Sequence, residues 1–334
     1  MTQLQRCLCA RWPGSDTVPS VEVQAARLVE HGKPLRVETI ELPEPGAGEV
    51  TVEMRYAGVN PVDRYGAMGW VASDGPVPRT LGTEGSGFVD GRPVVVRGYG
   101  IGTSRDGVWS TKAVVPRNAL VDVPEGVGLD VASVMGIAGV TAWCTVTERA
   151  KVSAADRVIV FGASGGVGSM IVSIVRALGA VVWAQTGNAD KVDWLRQLGA
   201  DHVVVADASS LHAAVRELEP TVVFDPLGNG FFGAAIEAMS ERGRIVTFGT
   251  SAGPRGEVPL QLLYRKGITV YGYGGLIESD EVKDRYLREA LEAQRDGRMA
   301  VVIDRVLPLE AINDAFRLLE GREVRGKLVI RLDG

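Results

Sequence analysis

The hydrophobic positions of this chain fall into two textures. From residue 21 to about 134, valine-rich runs at 49–56, 92–96 and 111–115 are separated by glycine, proline and aspartate turns. That pattern predicts an irregular, mostly β unit. Between 156 and 275, apolar runs at 157–162, 180–186, 202–206, 221–224, 244–249 and 268–273 are spaced by helical patterns, such as Leu211/Val215/Leu218 and Phe232/Ala235/Ile236/Met239. Strands and helices alternating in this way predict a parallel sheet covered on both faces. Beyond 277 the pattern predicts a charged helix over 280–295 and a strand over 301–307. An amphipathic helix with Ala311, Ile312, Ala315, Phe316 and Leu319 follows, then a last strand over 327–332. The simplest assembly returns this tail to the first unit, giving units 1–145 and 277–334 around an inserted 146–276, with 1–20 as an extension or an added strand.

The first strand of the middle unit breaks into glycines and restarts as a helix. After the break, Val167, Met170, Ile171, Ile174, Val175 and Leu178 form the stripe of a helix packed on a sheet. Ala163-Ser-Gly165-Gly166-Val167-Gly168 fits G-x-G-x-x-G with alanine at its first position. In a strand–loop–helix–strand context this is the dinucleotide-binding (Rossmann) fingerprint. Its glycines let the backbone approach a pyrophosphate, whose charge is met by the unpaired N–H groups of the helix start.

Composition narrows the function. The chain has 334 residues, 46% hydrophobic and 23% charged, as in ordinary globular proteins. A net charge of −5 argues against a nucleic-acid or anionic-membrane partner. No apolar run reaches the ~18 residues of a membrane span, and residues 1–20 lack the apolar core of a signal peptide. Cys7, Cys9 and Cys144 are too few and scattered for a disulfide framework, so a reducing cytoplasmic setting is expected. With His31, His202 and His212 they also offer no metal-ligand spacing. The three histidines read as structural or solvated.

The choice of dinucleotide is set where the second strand ends. Binders of NAD usually place an acid there, but this chain reads Gln185-Thr186-Gly187-Asn188-Ala189-Asp190-Lys191. A neutral turn with a lysine beyond it suits a 2′-phosphate, so NADPH is the expected cofactor, with Lys191 as its phosphate ligand.

Several segments, in order along the chain from about Val21 onward, carry a resemblance. They are Ala57-Gly-Val-Asn60-Pro-Val-Asp63-Arg-Tyr65, Leu81-Gly-Thr-Glu84-Gly-Ser-Gly87, Gly136-Ile-Ala-Gly-Val-Thr141-Ala, the glycine loop, Phe224-Asp-Pro-Leu-Gly228, Thr247-Phe248-Gly249-Thr-Ser251-Ala-Gly253 and Arg325-Gly-Lys-Leu-Val-Ile330. The chain resembles the medium-chain dehydrogenase/reductase superfamily, in its zinc-free (zeta-crystallin-like) quinone oxidoreductase branch. The resemblance implies an α/β protein with a GroES-like, mostly β catalytic domain and a Rossmann doubly wound sheet. Zinc members have a cysteine ligand where this chain has Asn60 and a histidine where it has Thr83, and their cysteine-rich structural zinc lobe is absent.

Without a Lewis acid, alcohol oxidation is poorly supported. Hydride transfer to a quinone or an α,β-unsaturated carbonyl needs mainly approach, alignment and a donor toward the developing oxyanion. By resemblance, Asn60 and Tyr65 are the catalytic pair, and Tyr65 is expected to hydrogen-bond the acceptor oxygen. Asp63 is expected to bond local backbone or a basic neighbour. Thr141 is expected near the nicotinamide, Gly165, Gly166 and Val167 on the pyrophosphate, and Phe248, Gly249 and Ser251 behind the carboxamide. Arg322 is expected on the 2′-phosphate, with Arg325 or Lys327 as substitutes. A homodimer through strand 268–273 is also implied. Two alternatives stay open. One is an enoyl reductase for a CoA- or polyketide-type enone, served by a basic mouth of Arg64, Arg79 and Arg105. The other is a non-catalytic, crystallin-like NADPH binder.

Overall fold

The computed structural model describes residues 21–70, 75–275 and 277–333. The expectations for residues 1–20, Cys7 and Cys9 among them, lie outside these.

The parallel strands of the middle unit are valine- and isoleucine-rich, and the inner ones, such as Val222–Asp225, are buried on both faces. They lie in the order His202–Val205, Val181–Thr186, Arg157–Val160, Val222–Asp225, Arg244–Thr247, Thr269–Gly272. The first strand in sequence, Arg157–Val160, is paired on one side by Val181–Thr186 and on the other by Val222–Asp225. The order therefore reverses at Arg157–Val160, and the carboxyl ends of the two middle strands flank a crevice of the kind where doubly wound sheets bind ligands. Helix Gly166–Ala177 follows the glycine loop and buries Met170, Ile171, Val172, Ile174 and Val175.

Strands Arg36–Leu42, Val21–Leu28 and Arg79–Thr80 make a small separate sheet, and the others form a layer around Glu49–Val59, whose antiparallel partners are Glu84–Val89, Lys112–Pro116 and Lys327–Arg331. Leu328 sits opposite Val59 and Arg331 opposite Tyr56. Strand Ile303–Pro308 joins Lys327–Arg331 in parallel. The chain thus leaves the antiparallel layer, builds the parallel sheet and comes back. Helix Asp280–Arg295, before that return, buries Leu287, Ala290 and Leu291 in one core with Val158 of the parallel sheet, Ile171 of the helix that covers it, and Val95 and Val121 of the antiparallel layer. A shared core of this kind holds the two layers, and so the crevice between them, in one arrangement. Among the described residues no helix is long and apolar enough to cross a membrane.

Candidate active site

The glycine loop is shaped by close packing. Gly162 takes a left-handed backbone at φ 55°, and a Cβ on Gly168 would lie 2.5 Å from the Gly162 carbonyl oxygen and 2.8 Å from Ala163 Cα. Both obstacles are backbone, so helix and strand can approach only without a side chain there. Gln185 fixes the loop from the next strand. It is buried, its Oε1 accepts from Gly162 N at 2.9 Å, and its Nε2 donates to Ala206 O at 2.6 Å. No side chain caps helix Gly166–Ala177, so its first-turn N–H groups face outward unpaired, as helix geometry dictates. A Cβ on Gly165 would meet only Gly162 O, at 3.4 Å, and one on Gly187 nothing within 4 Å. Open space beside an uncapped helix start fits a dinucleotide pyrophosphate.

Directly against this loop stands a buried polar cluster. Gly165 and Gly326 form a bridge, and a Cβ on Gly166 would strike Lys327 Cδ at 2.5 Å. The Lys327 stem therefore lies on the loop. Its ammonium donates to Asn60 Oδ1 at 2.5 Å and Val59 O at 3.1 Å, and approaches Glu84 Oε1 at 3.4 Å. Asn60 Nδ2 donates to the same Glu84 oxygen at 2.8 Å, while Glu84 Oε2 accepts from Ile137 N at 2.7 Å. Lys327 and Glu84 have side chains only 5% and 0% exposed, so each charge depends on the other and on these hydrogen bonds.

The sequence clears the room. A Cβ on Gly58 would sit 2.5 Å from Glu84 Oε1, and one on Gly136 3.3 Å from Oε2. Pro61 opens helix Pro61–Ala67 with Asn60 at its N-cap. Asp63 then reaches back to accept from Asn60 N at 2.8 Å, and its other oxygen takes Thr83 N at 3.0 Å and Thr83 Oγ1 at 2.8 Å. Burial pushes the Asp63 carboxyl up to about 6, against the lowering effect of the Thr83 and Asn60 hydrogen bonds. Asp63 is the backbone-binding acid that its sequence context suggests.

Thr141 lies one link away. Its hydroxyl donates to Ile137 O at 2.7 Å, and Ile137 N serves Glu84. Residues Met135–Gly139 form a π-helical turn, a local widening often found at functional sites. Phe248 and Ser251 are held to the neighbouring strand end by main-chain bonds to Asp225 O and Pro226 O, and a Cβ on Gly249 would meet Pro226 O at 2.8 Å. These residues follow the carboxyl end of Arg244–Thr247, beside the crevice.

Three expectations, those for Asn60, for Lys191 and for Lys327 as a substitute at the adenosine end, need correction, while the role given to Tyr65 is not among them. Asn60 is not poised as a donor toward an acceptor, because its carboxamide is occupied by Lys327 and Glu84. Tyr65 lies half-buried on the same helix with its ring 6.0 Å from Trp70. Lys191 does not project toward a phosphate. It is 5% exposed, and its ammonium donates to Arg322 O and Val324 O at 2.9 Å each. Burial, and then the Arg325 charge, lower its pKa. Lys327 belongs to the Asn60 cluster and cannot replace Arg322 at the adenosine end. The exposed guanidiniums there are Arg322, donating to Ser251 O at 3.3 Å, and Arg325, donating to Asp190 O at 3.2 Å.

The basic mouth expected for a CoA substrate is not assembled either. Arg64 pairs with Glu320, Arg105 with Glu49 at 3.0 Å, and Arg79 is buried, donating to Gly75 O. His31, His202 and His212 bond or stack with Gly66 O, Trp183 and Glu237, away from the cluster. Among the described residues no group of three or more His, Cys, Asp or Glu could hold a metal ion.

Comparison with known proteins gives consistent matches. A family model described as zinc-binding dehydrogenase matches residues 166–292. Quinone oxidoreductase-like protein 2 of Mus musculus is 29% identical over 322 residues, covering 92% of each chain. A mycocerosic acid synthase-like polyketide synthase of Mycolicibacterium smegmatis is 28% identical over 311 residues, which span 89% of this chain and 15% of that protein. A mycobacterial protein solved in complex with NADPH matches with a TM-score of 0.82 at 25% identity, covering 92% of this chain and 99% of that one.

Proposed function

The chain belongs to the medium-chain dehydrogenase/reductase superfamily, in its quinone oxidoreductase-like branch, and on that premise we propose that this oxidoreductase reduces quinones or α,β-unsaturated carbonyls with NADPH and without zinc. The observation that carries the reading is the Lys327–Asn60–Glu84 cluster, packed on the glycine loop and built on Asn60, where the resemblance implies a zinc ligand in zinc members. An amide and a threonine stand at the two ligand positions, and an ammonium supplies the local positive charge.

Bound NADPH supplies the hydride. Gly165, Gly166 and Val167 hold its pyrophosphate on main-chain N–H groups, and Arg322 and Arg325 hold its 2′-phosphate by charge-assisted hydrogen bonds. Thr141, Phe248, Gly249 and Ser251 back the nicotinamide end. As an acceptor takes up negative charge at its oxygen, the Lys327 ammonium stabilises that charge through its field. A buried site is where such a fixed charge acts most strongly. Tyr65 is the group assigned to the acceptor oxygen. A homodimer through the edge strand Thr269–Gly272, where Val270 is 41% exposed, completes the proposal. The polyketide synthase match favours a second reading, an enone on a larger acyl carrier. The pairing of Arg64 and Arg105 with acids argues against CoA as that carrier.

A screen of NADPH oxidation over quinones, alkenals and enoyl thioesters, with NADH in parallel, tests the proposal. The expected result is turnover with quinones or free enones and a preference for NADPH. Cofactor binding without turnover on any acceptor would favour a non-catalytic binder.

Asp63 gives the reaction a pH dependence. Its raised pKa means that it favours the folded state most below the ordinary carboxylate range, and that this contribution is lost as the pH rises through about 6. Protonation also puts an O–H among the three donors that hold Asn60 and Thr83, so turnover should fall on the acid side with an apparent pKa near that of Asp63. Thr83→Val deletes one of the hydrogen bonds that lower this pKa, so the acid limb of kcat should move to higher pH. A limb that stays in place removes Asp63 from the mechanism.

A further inference from the structure

The segment 322–327 is stitched to three separate places. Lys191 Nζ donates to the carbonyls of Arg322 and Val324 at its start. In the middle, Arg325 N donates to Asp304 Oδ1 at 3.0 Å and the Arg325 side chain to Asp190 O. At its end, Gly326 N donates to Ser164 O of the glycine loop at 3.0 Å, and Lys327 N to Val302 O at 2.9 Å. This short strap therefore runs from the adenosine end, along the pyrophosphate loop, to the ammonium that holds Asn60 and Glu84.

The strap is also strained at the Lys191 end. Arg322 takes φ 54°, a left-handed conformation that is unfavourable for a non-glycine residue. Its carbonyl is one of the two that Lys191 grips. An exposed loop would relax unless something held it. The buried ammonium, with two hydrogen bonds to main chain on a segment 131 and 133 residues away in sequence, is that restraint.

We propose that Lys191 is a positioning residue, a latch that holds the 322–327 strap closed and thereby couples capture of the adenosine end of the cofactor to placement of the Lys327 ammonium. The inference rests on the reading that NADPH lies across the glycine loop. It gives Lys191 no direct contact with the phosphate, and so predicts a different signature from a phosphate ligand.

The test is Lys191→Met, which keeps the stem and removes the donors, with Lys191→Gln as the milder variant should the first fail to fold. Dissociation constants for NADPH, NADH and adenosine 2′-monophosphate are measured beside kcat at saturating cofactor. A latch predicts that kcat falls several-fold with either cofactor at saturation, that NADH weakens as well, and that NADPH weakens at least as much because Arg322 and Arg325 ride on the strap. A direct phosphate ligand would weaken NADPH and adenosine 2′-monophosphate at least tenfold while leaving NADH and kcat alone, and that result overturns the proposal. So does a variant unchanged in every readout.

A second arm examines the strain. Glycine adopts the left-handed backbone freely, so the effect of Lys191→Met on kcat with NADH should shrink when Arg322 is already glycine. Equal effects in both backgrounds contradict the latch, since coupled residues should be non-additive. Wild-type protein that prefers NADH would refute the NADPH assignment alone, because the kcat arm is read with NADH.

Discussion

Lys327→Met should give the largest loss of any single substitution in this protein. Truncating the ammonium leaves Glu84 buried at the bottom of the crevice without its cation, the kind of change that costs about 3–5 kcal/mol of stability. It also removes the only cation of the Asn60 cluster, so turnover at saturating NADPH and acceptor should fall by roughly 10²–10³, the scale of losing one preorganised stabiliser of developing negative charge. The two effects separate in the double variant Glu84→Gln/Lys327→Met. The amide carries no charge and can still accept from Asn60 Nδ2, though its NH2 then faces Ile137 N, so thermal stability should return in part while turnover does not. Recovery of both would make the pair a structural element only. Loss of stability with turnover per folded molecule intact would say the same.

The second large effect belongs to the adenosine end. Arg322 and Arg325 are exposed, and their recorded partners are carbonyls rather than carboxylates. Each is free to exchange a weak neutral acceptor for a phosphate, and a hydrogen bond to a charged group contributes about 1.5–3 kcal/mol. Arg322→Ala/Arg325→Ala should therefore raise the NADPH dissociation constant by roughly 10²-fold or more and leave that for NADH within a few-fold. Isothermal titration with both cofactors reads the difference directly. Parallel losses would move the 2′-phosphate away from these arginines.

Much of this architecture was legible in the chain because it rests on local signals. Valine-rich runs spaced by helical stripes specify a parallel sheet, and Gly162 and Gly168 occur where only glycine fits the turn and the helix–strand contact. The return of residues 327–332 to the antiparallel layer could be read from pattern economy alone. What escaped was every property fixed by a distant partner. Lys191 reads as a phosphate ligand beyond a neutral turn, and nothing near it in sequence announces the carbonyls of Arg322 and Val324. Asn60 reads as a donor until Glu84, 24 residues away, takes its Nδ2, and Lys327, 267 residues away, its carbonyl oxygen. Glu84 was visible only as one letter of a segment that carries the family resemblance, and Lys327 only as a substitute for Arg322. The one available hint was the pair of glycines, Gly58 and Gly136, whose missing side chains make room for a carboxylate. Buried charge pairs are assembled by tertiary contact, and periodicity carries no information about them.

The central claim is that reduced cofactor delivers hydride in a site whose positive charge is a lysine and not a metal. Protein dialysed exhaustively against a chelator, verified free of zinc by elemental analysis and loaded with NADPH, should be mixed with a naphthoquinone while nicotinamide absorbance is followed. The account predicts full-amplitude oxidation at the undialysed rate, unaltered when zinc is added back. Oxidation that vanishes on dialysis and returns with zinc would contradict it.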